Sequence, residues 1–488
     1  MELQLYNTLT RQKELVKPRH GDCLKMYNCG PTVYSRQHIG NYRAFAEWDV
    51  LHRSLLYLGY CVERVTNITD VGHMTTDEDF GEDKMDKAAA KSGKQPIDIA
   101  NEVIDTFLED LSKLNIRHPD GTEIDLSKDN HTNVADHSWT RATDYIEAMV
   151  DSVKKIEEAG LTYETEQAVY FDVTKYDKYT ELSRQKLDEK EIGVRDEVAV
   201  DTNKKHPADF VLWMKLTGKY ANHIMHWPSP WGEGFPGWHI ECTAMGCAEL
   251  GDAIDIHTGG IEHIPVHHTN ERAQNFGAFG HDVVDMWVHN EHLVGKKGAK
   301  MSKSLGNIYT IPELVELGYD PLDLRYYYLT VKYNQPLYFS LEGLDSAKDS
   351  RISLQNKITH LASTINVAEL DAGRPLDEYL DRFKAALNDD LNKPVALAVL
   401  SDLLKIDAES ADLLATVRHM DEVLGLRLIE NAFSKVEITE ELQSLMSERE
   451  AARANKDYSK SDEVRDKLKS MGYEVLDKPD GSQELRKI

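Results

Sequence analysis

Residues 25–71 carry the pattern of a β-strand, a loop, a helix and a second β-strand. The segment KMYNCGPTVY is typical of a strand that enters a turn, because Gly and Pro together interrupt regular structure. NYRAFAEWDVLHRSLLYLGY then shows apolar residues at helical spacing, and CVERVTNITDV is rich in β-branched residues. Such a βαβ unit needs a parallel sheet, and parallel sheets bind ligands at the carboxyl ends of their strands.

The rest of the sequence predicts one α/β domain of nucleotide-binding type that is interrupted by an insertion. QPIDIANEVIDTFLEDLSKLNI and TRATDYIEAMVDSVKKIEEAGL are typical of amphipathic helices, and short strands with charged loops follow up to about Asp201. Strand patterns return in ADFVLWMKL, AIDIHTGG and VVDMWVHNEHLV. After Pro321 helical periodicity predicts a helical bundle. The last fifty residues predict one charged helix, a strand (YEVLD) and a turn (PDG).

The net charge argues against a nucleic-acid partner, but its distribution leaves room for one. The 488 residues include 57 Lys and Arg against 84 Asp and Glu, a formal charge of −27, whereas phosphate binding needs positive charge. Residues 295–307, GKKGAKMSKSLGN, nevertheless carry four lysines and no acid, and from Ala451 onward nine basic residues face eight acidic ones. Each of these segments is either a solvated surface or a contact for a polyanion.

The cysteines are too few, and odd in number, for a secreted disulfide framework. We therefore expect reduced thiols or metal ligands. No run of about 18 apolar residues occurs, and the first twenty residues lack an apolar signal region, so a cytoplasmic protein without membrane contact is expected. The five cysteines are Cys23, Cys29, Cys61, Cys242 and Cys247.

One candidate metal site combines cysteine, histidine and glutamate. His267 and Glu271 are four residues apart, so on a helix they share one face and can bind a single ion. Cys242, together with Cys29 on the loop after the first predicted strand, would complete a set of two cysteines, one histidine and one glutamate. The alternative is that the cysteines are small buried residues. The density of histidine over residues 257–268 favours the metal, with some of these histidines supporting the ligands.

Two further segments suggest phosphate chemistry. His38-Ile39-Gly40-Asn41 lies where the loop enters the predicted helix, and a helix N-terminus offers N–H donors and a positive dipole end to a phosphate. The alternative is a simple capping turn. The two lysines of KMSKS, residues 300–304, can clamp triphosphate oxygens and meet the charge that develops in a transition state. The chain has no P-loop sequence, which makes P-loop chemistry a poor interpretation.

Together these segments resemble the class I aminoacyl-tRNA synthetases, in which a HIGH-type element and a KMSKS loop flank ATP on a Rossmann fold. KMSKS is intact here, whereas Asn41 replaces the last histidine of the first element. Further segments narrow the resemblance to the cysteine–tRNA ligase family, and they follow that family's order over nearly the whole chain: CGPTVY, NITDVGHMTTDEDFGEDKM, PGWHIECTAMGC, IHTGG, HHTNERAQ, KMSKSLGN and PLDLRYYYL.

The resemblance implies ATP-dependent ligation of L-cysteine to tRNA(Cys) through a cysteinyl-adenylate. It implies one zinc ion per chain, bound by Cys29, Cys242, His267 and Glu271, that recognises the substrate as a thiolate. Zinc prefers a soft thiolate to a hydroxyl, so the metal would separate cysteine from serine. No editing domain is then needed, and the expected insertion is too small to suggest one.

The resemblance also implies which residues meet the substrates. Catalytic roles would fall to His38, Lys300 and Lys303. ATP, which reacts with Mg²⁺, would contact His38, Gly40, Asn41, Lys300, Ser302 and Lys303. The cysteine pocket would be lined by Trp238 and His257. The anticodon of the tRNA would contact Arg453, Tyr458, Asp462 and Asp477. The chain is expected to act as a monomer.

The expected fold is an α/β Rossmann-type parallel-sheet catalytic domain split by an insertion, followed by a helical bundle and a small C-terminal α/β anticodon-binding module. The expected boundaries are residues 1–115 and 202–315 for the two catalytic halves, 116–201 for the inserted connective module, 316–345 for a stem-contact segment just after the KMSKS loop, 346–432 for the bundle and 437–488 for the anticodon-binding module.

Two alternatives stay open, as do three departures from the family pattern besides that at Asn41. The chain could be a cysteine ligase of mycothiol biosynthesis, which acts on an amino-sugar, or an inactive tRNA-binding paralogue. The family commonly has Gly-Gly-x-Asp where this chain has Gly260-Ile261-Glu262, and Phe-Pro where it has Pro265-Val266. Tyr458 stands where Trp is common, and either ring can stack on a base.

Overall fold

The computed structural model describes residues 2–71, 84–187, 201–295, 308–434, 439–471, 473–477 and 483–487. Lys300, Ser302 and Lys303 of the KMSKS segment lie outside the described residues, as does the PDG turn at residues 479–481. The chain divides into two compact units. One comprises Met1–Lys348, Asp377–Leu403 and His419–Leu426, and the other Asp349–Leu376, Leu404–Arg418 and Arg427–Ile488.

The strands of the described residues are numbered in chain order: β1 (Gln4–Asn7), β2 (Gln12–Leu15), β3 (Cys23–Asn28), β4 (Cys61–Ile68), β5 (Trp139–Arg141), β6 (Thr162–Glu164), β7 (Ala168–Phe171), β8 (Phe210–Lys215), β9 (Gly234–Pro236), β10 (Ile254–Gly260), β11 (Val284–Asn290), β12 (Leu293–Val294), β13 (Leu337–Tyr338), β14 (Tyr473–Asp477) and β15 (Gln483–Lys487).

The helices are α1 (Ile39–Tyr57), α2 (Lys84–Ser92), α3 (Pro96–Lys113), α4 (Ile146–Glu158), α5 (Trp238–Leu250), α6 (His267–Phe279), α7 (Ile311–Glu316), α8 (Pro321–Leu329), α9 (Leu341–Ala362), α10 (Val367–Ala372), α11 (Asp377–Asn388), α12 (Lys393–Leu403), α13 (Ser410–Leu424), α14 (Leu428–Phe433), α15 (Glu440–Ala454) and α16 (Tyr458–Ser470). Within the described residues, no helix combines the length and the apolar character that crossing a membrane requires.

The predicted βαβ unit is confirmed and lies at the centre of a parallel sheet. Among the described residues, this sheet has the strand order β11-β10-β3-β4-β5, so β3 is its middle strand. Helix α1 connects β3 to β4 and buries Trp48, Leu51 and Leu55 against Met26 and Ile256 of the sheet. The carboxyl ends of β3, β10 and β11 therefore meet at one edge, where parallel sheets bind ligands.

A second, antiparallel sheet contains β6, β7, β8 and β9. It takes strands from both sides of residue 201, where we expected the insertion to end. Strand β5 lies within the expected insertion, yet it pairs in parallel with β4. Alternating apolar residues mark a strand, but they do not tell which sheet the strand joins.

Two of the five cysteines form a disulfide, so the expectation of reduced thiols is wrong for them. Cys23 and Cys61 are the first residues of β3 and β4 and are partners in the parallel register, which places their side chains next to each other. Cys29, Cys242 and Cys247 are free.

The C-terminal residues form two helices where the sequence predicted one. The chain turns between α15 and α16 at residues 455–457, where Lys456 has a φ of 60°. This left-handed conformation interrupts a helix. The predicted strand YEVLD is confirmed as β14, which pairs antiparallel with β15. The helical periodicity predicted after Pro321 is confirmed by the series of helices α8 to α14.

Candidate metal centre and nucleotide site

The structure brings the four predicted metal ligands together from three separate elements. Cys29 follows β3, Cys242 lies in the second turn of α5, and His267 and Glu271 lie in the first two turns of α6. One donor atom from each side chain lies within 4.8 Å of every other one. Cys242, His267 and Glu271 are buried, and Cys29 is half-buried. The predicted convergence of these residues is therefore present in the fold.

His267 has the contacts of a metal-binding histidine. Its Nε2 lies 3.4 Å from Sγ of Cys242 and 3.0 Å from Oε1 of Glu271. That carboxylate oxygen accepts no hydrogen bond within the described residues, so the atoms face each other as ligands around a shared ion would. On the other side of the ring, Nδ1 lies 2.9 Å from Nδ1 of His239, which matches the usual hydrogen bond that orients a metal-binding imidazole.

The charges at this cluster suit a cation. Burial raises the pKa of the Cys29 thiol, and the hydrogen bond with Cys29 together with burial raises the pKa of Cys242 well above its usual range. Burial alone would raise the pKa of Glu271, but the imidazoles of His257 and His267 hold it well below its usual range. The cluster thus holds a carboxylate beside two thiols that lose their protons when a metal ion binds.

Aromatic rings surround the cluster on the side of the expected cysteine pocket. Trp238, the first residue of α5, has its ring centroid 4.6 Å from that of His267. His257 stacks on Trp287 at 4.7 Å and its Nε2 lies 2.8 Å from Oε2 of Glu271. Both residues predicted for the pocket, Trp238 and His257, therefore contact the ligand set.

A second set of possible ligands overlaps the first. It consists of Cys29, His257, His268 and Glu271, again with all donor atoms within 4.8 Å. His268 also contacts His289 of β11, which the sequence analysis did not single out. His239 and Trp287 were missed as well. His239 follows the predicted Trp238 directly, in PGWHIEC. His289 and Trp287 lie on β11, which ends at the same sheet edge as the strand that carries His257. The clustering of predicted residues at this sheet edge was therefore the signal available.

A third group of possible ligands, His118, Asp129 and His137, precedes β5. Nδ1 of His118 accepts a hydrogen bond from the indole of Trp139 (3.0 Å), so the neutral ring carries its hydrogen on Nε2, which donates to Asp129 (3.1 Å). His137 forms a hydrogen bond with Asp120 (2.9 Å). These side chains satisfy one another, and we assign no metal to them.

The first turn of α1 is a capping box that involves the predicted ATP-binding residues. Nδ1 of His38 accepts from N–H of Gly40 (3.1 Å), and Oδ1 of Asn41 accepts from N–H of His38 (3.1 Å). The neutral His38 ring therefore carries its hydrogen on Nε2, where it can be donated to a phosphate. A Cβ at Gly40 would lie 2.9 Å from the His38 ring, so the glycine lets the imidazole fold over the helix start. Asn41 completes the cap, which explains how the helix tolerates this departure from the family pattern.

The four residues predicted to contact tRNA lie in the C-terminal module. Tyr458 begins α16 and is 66% exposed. Arg453 pairs with Asp477, and Asp462 lies 3.1 Å from Arg465. Exposure leaves Tyr458 accessible for stacking on a base, whereas Arg453 and Asp477 already hold each other.

Comparison with known proteins identifies the family to which the chain is similar. Residues 15–349 match the family described as tRNA synthetases class I (C) catalytic domain, and residues 435–486 match the Cysteinyl-tRNA ligase anticodon binding domain. The cysteine–tRNA ligase of Treponema denticola is 40% identical over 514 aligned residues, covering 100% of both chains. Cysteine–tRNA ligase 1 of Burkholderia lata is 39% identical and covers 99% of this chain and 97% of its own.

A solved structure supports the fold. Methionyl-tRNA synthetase of Mycobacterium tuberculosis, in complex with methionyl-adenylate, aligns with a TM-score of 0.54 and 16% identity over 87% of this chain and 94% of its own. The two family matches together cover most of this chain, and the relatives cover it from end to end. The chain belongs to the cysteine–tRNA ligase family of the class I tRNA synthetases.

Proposed function

We propose that Cys29, Cys242, His267 and Glu271 hold the zinc ion that selects cysteine in this enzyme. The chain charges tRNA with cysteine, as its family membership shows. The observation that supports the metal is the convergence of four donor atoms within 4.8 Å of one another. Two sulfurs, an imidazole nitrogen and a carboxylate oxygen suit zinc, whereas magnesium and calcium prefer oxygen ligands alone.

The zinc proposal explains selection between cysteine and serine. A cavity alone separates such near-isosteres by only about 10–200-fold. When bound, zinc supplies a soft Lewis acid that accepts the substrate sulfur as a thiolate. Trp238 and His257 line the approach to this point, and burial of the cluster keeps competing water away from it. The side chains around the metal thus favour a thiol over a hydroxyl.

ATP is proposed to bind at the first turn of α1 with Mg²⁺. The helix N-terminus offers N–H groups and a positive dipole end to phosphate, and the Nε2–H group of His38 is a donor that phosphate oxygens accept. Gly40 and Asn41 fix the His38 ring through the capping box. Lys300, Ser302 and Lys303, which lie outside the described residues, are proposed to hold the ATP phosphates, with Lys300 and Lys303 as catalytic cations.

The C-terminal module is proposed to read the anticodon of tRNA(Cys) through Arg453, Tyr458, Asp462 and Asp477. The match of residues 435–486 to an anticodon-binding domain supports tRNA over an amino-sugar as the acceptor of cysteine. A monomeric, cytoplasmic enzyme remains our expectation.

The proposal is tested by measuring zinc content and cysteine-dependent exchange of pyrophosphate into ATP. We expect one zinc per chain in the wild type, and a Cys242→Ser variant that loses zinc and cysteine affinity together. Cys247→Ser is the matched control, because this free cysteine lies one turn or so further along α5 and contacts Asn275 (3.6 Å), outside the ligand set.

Each result has a separate meaning. Absence of exchange in the zinc-loaded wild type would contradict the active site and favour the paralogue. Exchange without charging of tRNA would favour the ligase that acts on a small molecule. A Cys242→Ser variant with full zinc and normal cysteine affinity would overturn the ligand assignment.

A further inference from the structure

Two adjacent histidines compete for the same metal site. The two overlapping ligand sets share Cys29 and Glu271, but one contains His267 and the other His268. Both imidazoles are buried, so their burial does not separate them. The hydrogen-bond partners of the two rings do separate them, because a nitrogen that carries hydrogen cannot bind a metal.

His268 belongs to a chain of hydrogen bonds that ends at a threonine near the start of the sequence. Its Nε2 lies 3.2 Å from Sγ of Cys29, and its Nδ1 lies 2.8 Å from Nε2 of His289. Nδ1 of His289 lies 2.7 Å from Oγ1 of Thr8. All three polar side chains beyond Cys29 are at least 95% buried. Thr8 follows β1 and is held to the sheet by a bond from its N–H to the carbonyl of Trp287 (2.8 Å).

The direction in which these hydrogen bonds are donated follows from Thr8. Within the described residues the Thr8 hydroxyl contacts only Nδ1 of His289. If the hydroxyl accepted from His289, its own buried hydrogen would have no acceptor, which is costly. If it donates, Nδ1 of His289 is the acceptor, so Nε2–H of His289 donates to Nδ1 of His268. The hydrogen of His268 is then on Nε2, and it points at the sulfur of Cys29.

We propose that Thr8, His289 and His268 are positioning residues that fix a hydrogen-bond donor on Cys29 and thereby leave His267 as the histidine ligand. This inference rests on the zinc site of the proposed function. A thiolate that accepts an N–H bond stays in one orientation, and its charge is partly neutralised. His267 fits the complementary role, because its Nδ1 faces His239 and its Nε2 faces Cys242 and Glu271.

The tautomers of the histidines in the wild-type protein give the most direct test. Zinc-loaded, full-length protein labelled with ¹⁵N-histidine is examined by long-range proton–nitrogen correlation, with assignment by single His→Gln substitutions. We expect hydrogen on Nε2 of both His268 and His289, and a metal-shifted Nε2 for His267. Hydrogen on Nδ1 of His268 with Nε2 bound to zinc would overturn the inference.

A pair of threonine variants tests the positioning role by zinc affinity. Thr8→Val removes the hydroxyl and keeps the shape, and Thr8→Ser keeps the hydroxyl. Because supporting residues of metal sites commonly change affinity by about 10–100-fold, we expect Thr8→Val to weaken zinc binding by about tenfold or more, measured by chelator competition. Thr8→Ser should stay within about twofold of the wild type.

The outcomes of the two tests separate the inference from the proposed function. A wild type that binds no zinc would overturn both. Tight zinc binding in the wild type, with unchanged affinity in a folded Thr8→Val variant, would overturn only the positioning role. If Thr8→Val does not fold, the tautomer of His268 in the wild type decides the question alone.

Discussion

Ion pairs hold two regions of this molecule in different ways. Around α1, Asp49 contacts Arg53 (2.8 Å) and Arg325 (2.6 Å), and all three side chains are no more than 3% exposed. In the C-terminal module, the pair Arg453–Asp477 has side chains that are 40% and 41% exposed. The ion pairs of Asp49 are shielded from water, whereas the pair Arg453–Asp477 is exposed. The loss of a partner is therefore expected to change the free energy of unfolding much more in the buried pairs than in the exposed one.

The buried group fixes α1, the helix whose first turn carries the proposed ATP site. The guanidinium of Arg325 also donates to the carbonyls of Leu424 (2.7 Å), Leu114 (3.1 Å) and Asn115 (3.0 Å). It therefore ties α1 to the ends of α3 and α13. Gly425, with a φ of 63°, makes room for it, because a Cβ there would lie 2.6 Å from Nη2 of Arg325. Exposed pairs in the C-terminal module are weak enough to exchange partners.

The largest expected effect is the loss of the buried group. Arg325→Met leaves Asp49 with one of its two cations and removes the Arg325 donor from three carbonyls, of which that of Asn115 keeps a second donor, from Arg53. We expect the free energy of unfolding of the compact unit that contains Arg325 to fall by about 3–5 kcal/mol, as for other broken buried pairs. Urea unfolding followed by tryptophan fluorescence measures this, because all seven tryptophans precede residue 349.

The matched control for this prediction is Arg382→Met. Arg382 pairs with Asp402 at 2.9 Å in the same compact unit, but the two side chains are 42% and 45% exposed. We expect this variant to lose less than about 1 kcal/mol. Equal losses in the two variants would contradict the distinction between buried and exposed pairs.

A second buried pair on α1 predicts how stability depends on pH. Lys393 is fully buried and contacts Glu47 and the carbonyl of Tyr328 (2.8 Å). Burial outweighs the attraction of Glu47 and lowers the pKa of Lys393 to about 8. An unfolded lysine has a pKa of about 10.4, so between about pH 8 and pH 10.4 the unfolded chain binds more protons. The contribution of Lys393 to stability therefore rises with pH over this interval.

This pH dependence is measured against a reference without the pair, the double variant Glu47→Gln with Lys393→Met. We expect the free energy of unfolding of the wild type to gain about 3 kcal/mol on this reference from pH 8 to pH 10.4, at about 1.4 kcal/mol for each pKa unit. A difference that stays constant over the interval would show that Lys393 stays charged in the folded chain throughout, as it does in the unfolded chain, and would contradict the lowered pKa.

The fold around these pairs could be predicted as far as local patterns reach. Apolar spacing placed α1 at residues 41–60, and the structure has it at Ile39–Tyr57. The strands that became β3, β4, β10 and β11 were predicted too. The same patterns could not assign ADFVLWMKL to the antiparallel sheet, nor show that Asn455, Lys456 and Asp457 break the last helix, because both depend on backbone geometry and packing beyond the window of a periodic pattern.

In the candidate site, too, local spacing predicted some features, and long-range contacts decided the others. The spacing of His267 and Glu271 predicted one helical face, which α6 provides. Nothing in the spacing of Thr8 and His289, which are 281 residues apart, indicates that they touch. Asn41 departs from the family pattern, and its side chain accepts the hydrogen bond that closes the cap of α1. Long-range contacts follow from the sheet order, which a single sequence does not display.

Variants of Tyr458 test whether the C-terminal module binds tRNA through this exposed ring. Stacking of a base on an aromatic ring is worth about 1–3 kcal/mol, so Tyr458→Ala should raise the KM for tRNA by roughly 5- to 150-fold. Cysteine-dependent exchange of pyrophosphate should be unchanged, because that step needs no tRNA. Tyr458→Phe keeps the ring and serves as the control. Normal charging by the alanine variant would contradict a stacking role for this position.

The smallest expected effect separates two arginines that share one carboxylate. Arg449 and Arg453 both bind Asp477, but the Arg449 side chain is 5% exposed and that of Arg453 is 40% exposed. The hydrogen bonds with Arg449, together with the charge of Arg453, lower the pKa of Asp477. We expect Arg453→Gln to change the free energy of unfolding by less than about 1 kcal/mol, measured by urea unfolding of the full chain followed by circular dichroism. Arg449→Gln should lower the free energy of unfolding by clearly more than Arg453→Gln does, because it removes a buried cation from the same carboxylate.

The same pair of variants shows whether the exposed cation is available to RNA. If Arg453 leaves Asp477 for a phosphate in the complex, Arg453→Gln should reduce the slope of log affinity for tRNA against log salt by about one unit. Arg449→Gln should leave that slope unchanged in the folded protein, because its guanidinium is committed to Asp477 and Gln483. An unchanged slope for Arg453→Gln would mean that this cation stays with Asp477, and the exposed pair would then be a structural contact like the buried ones.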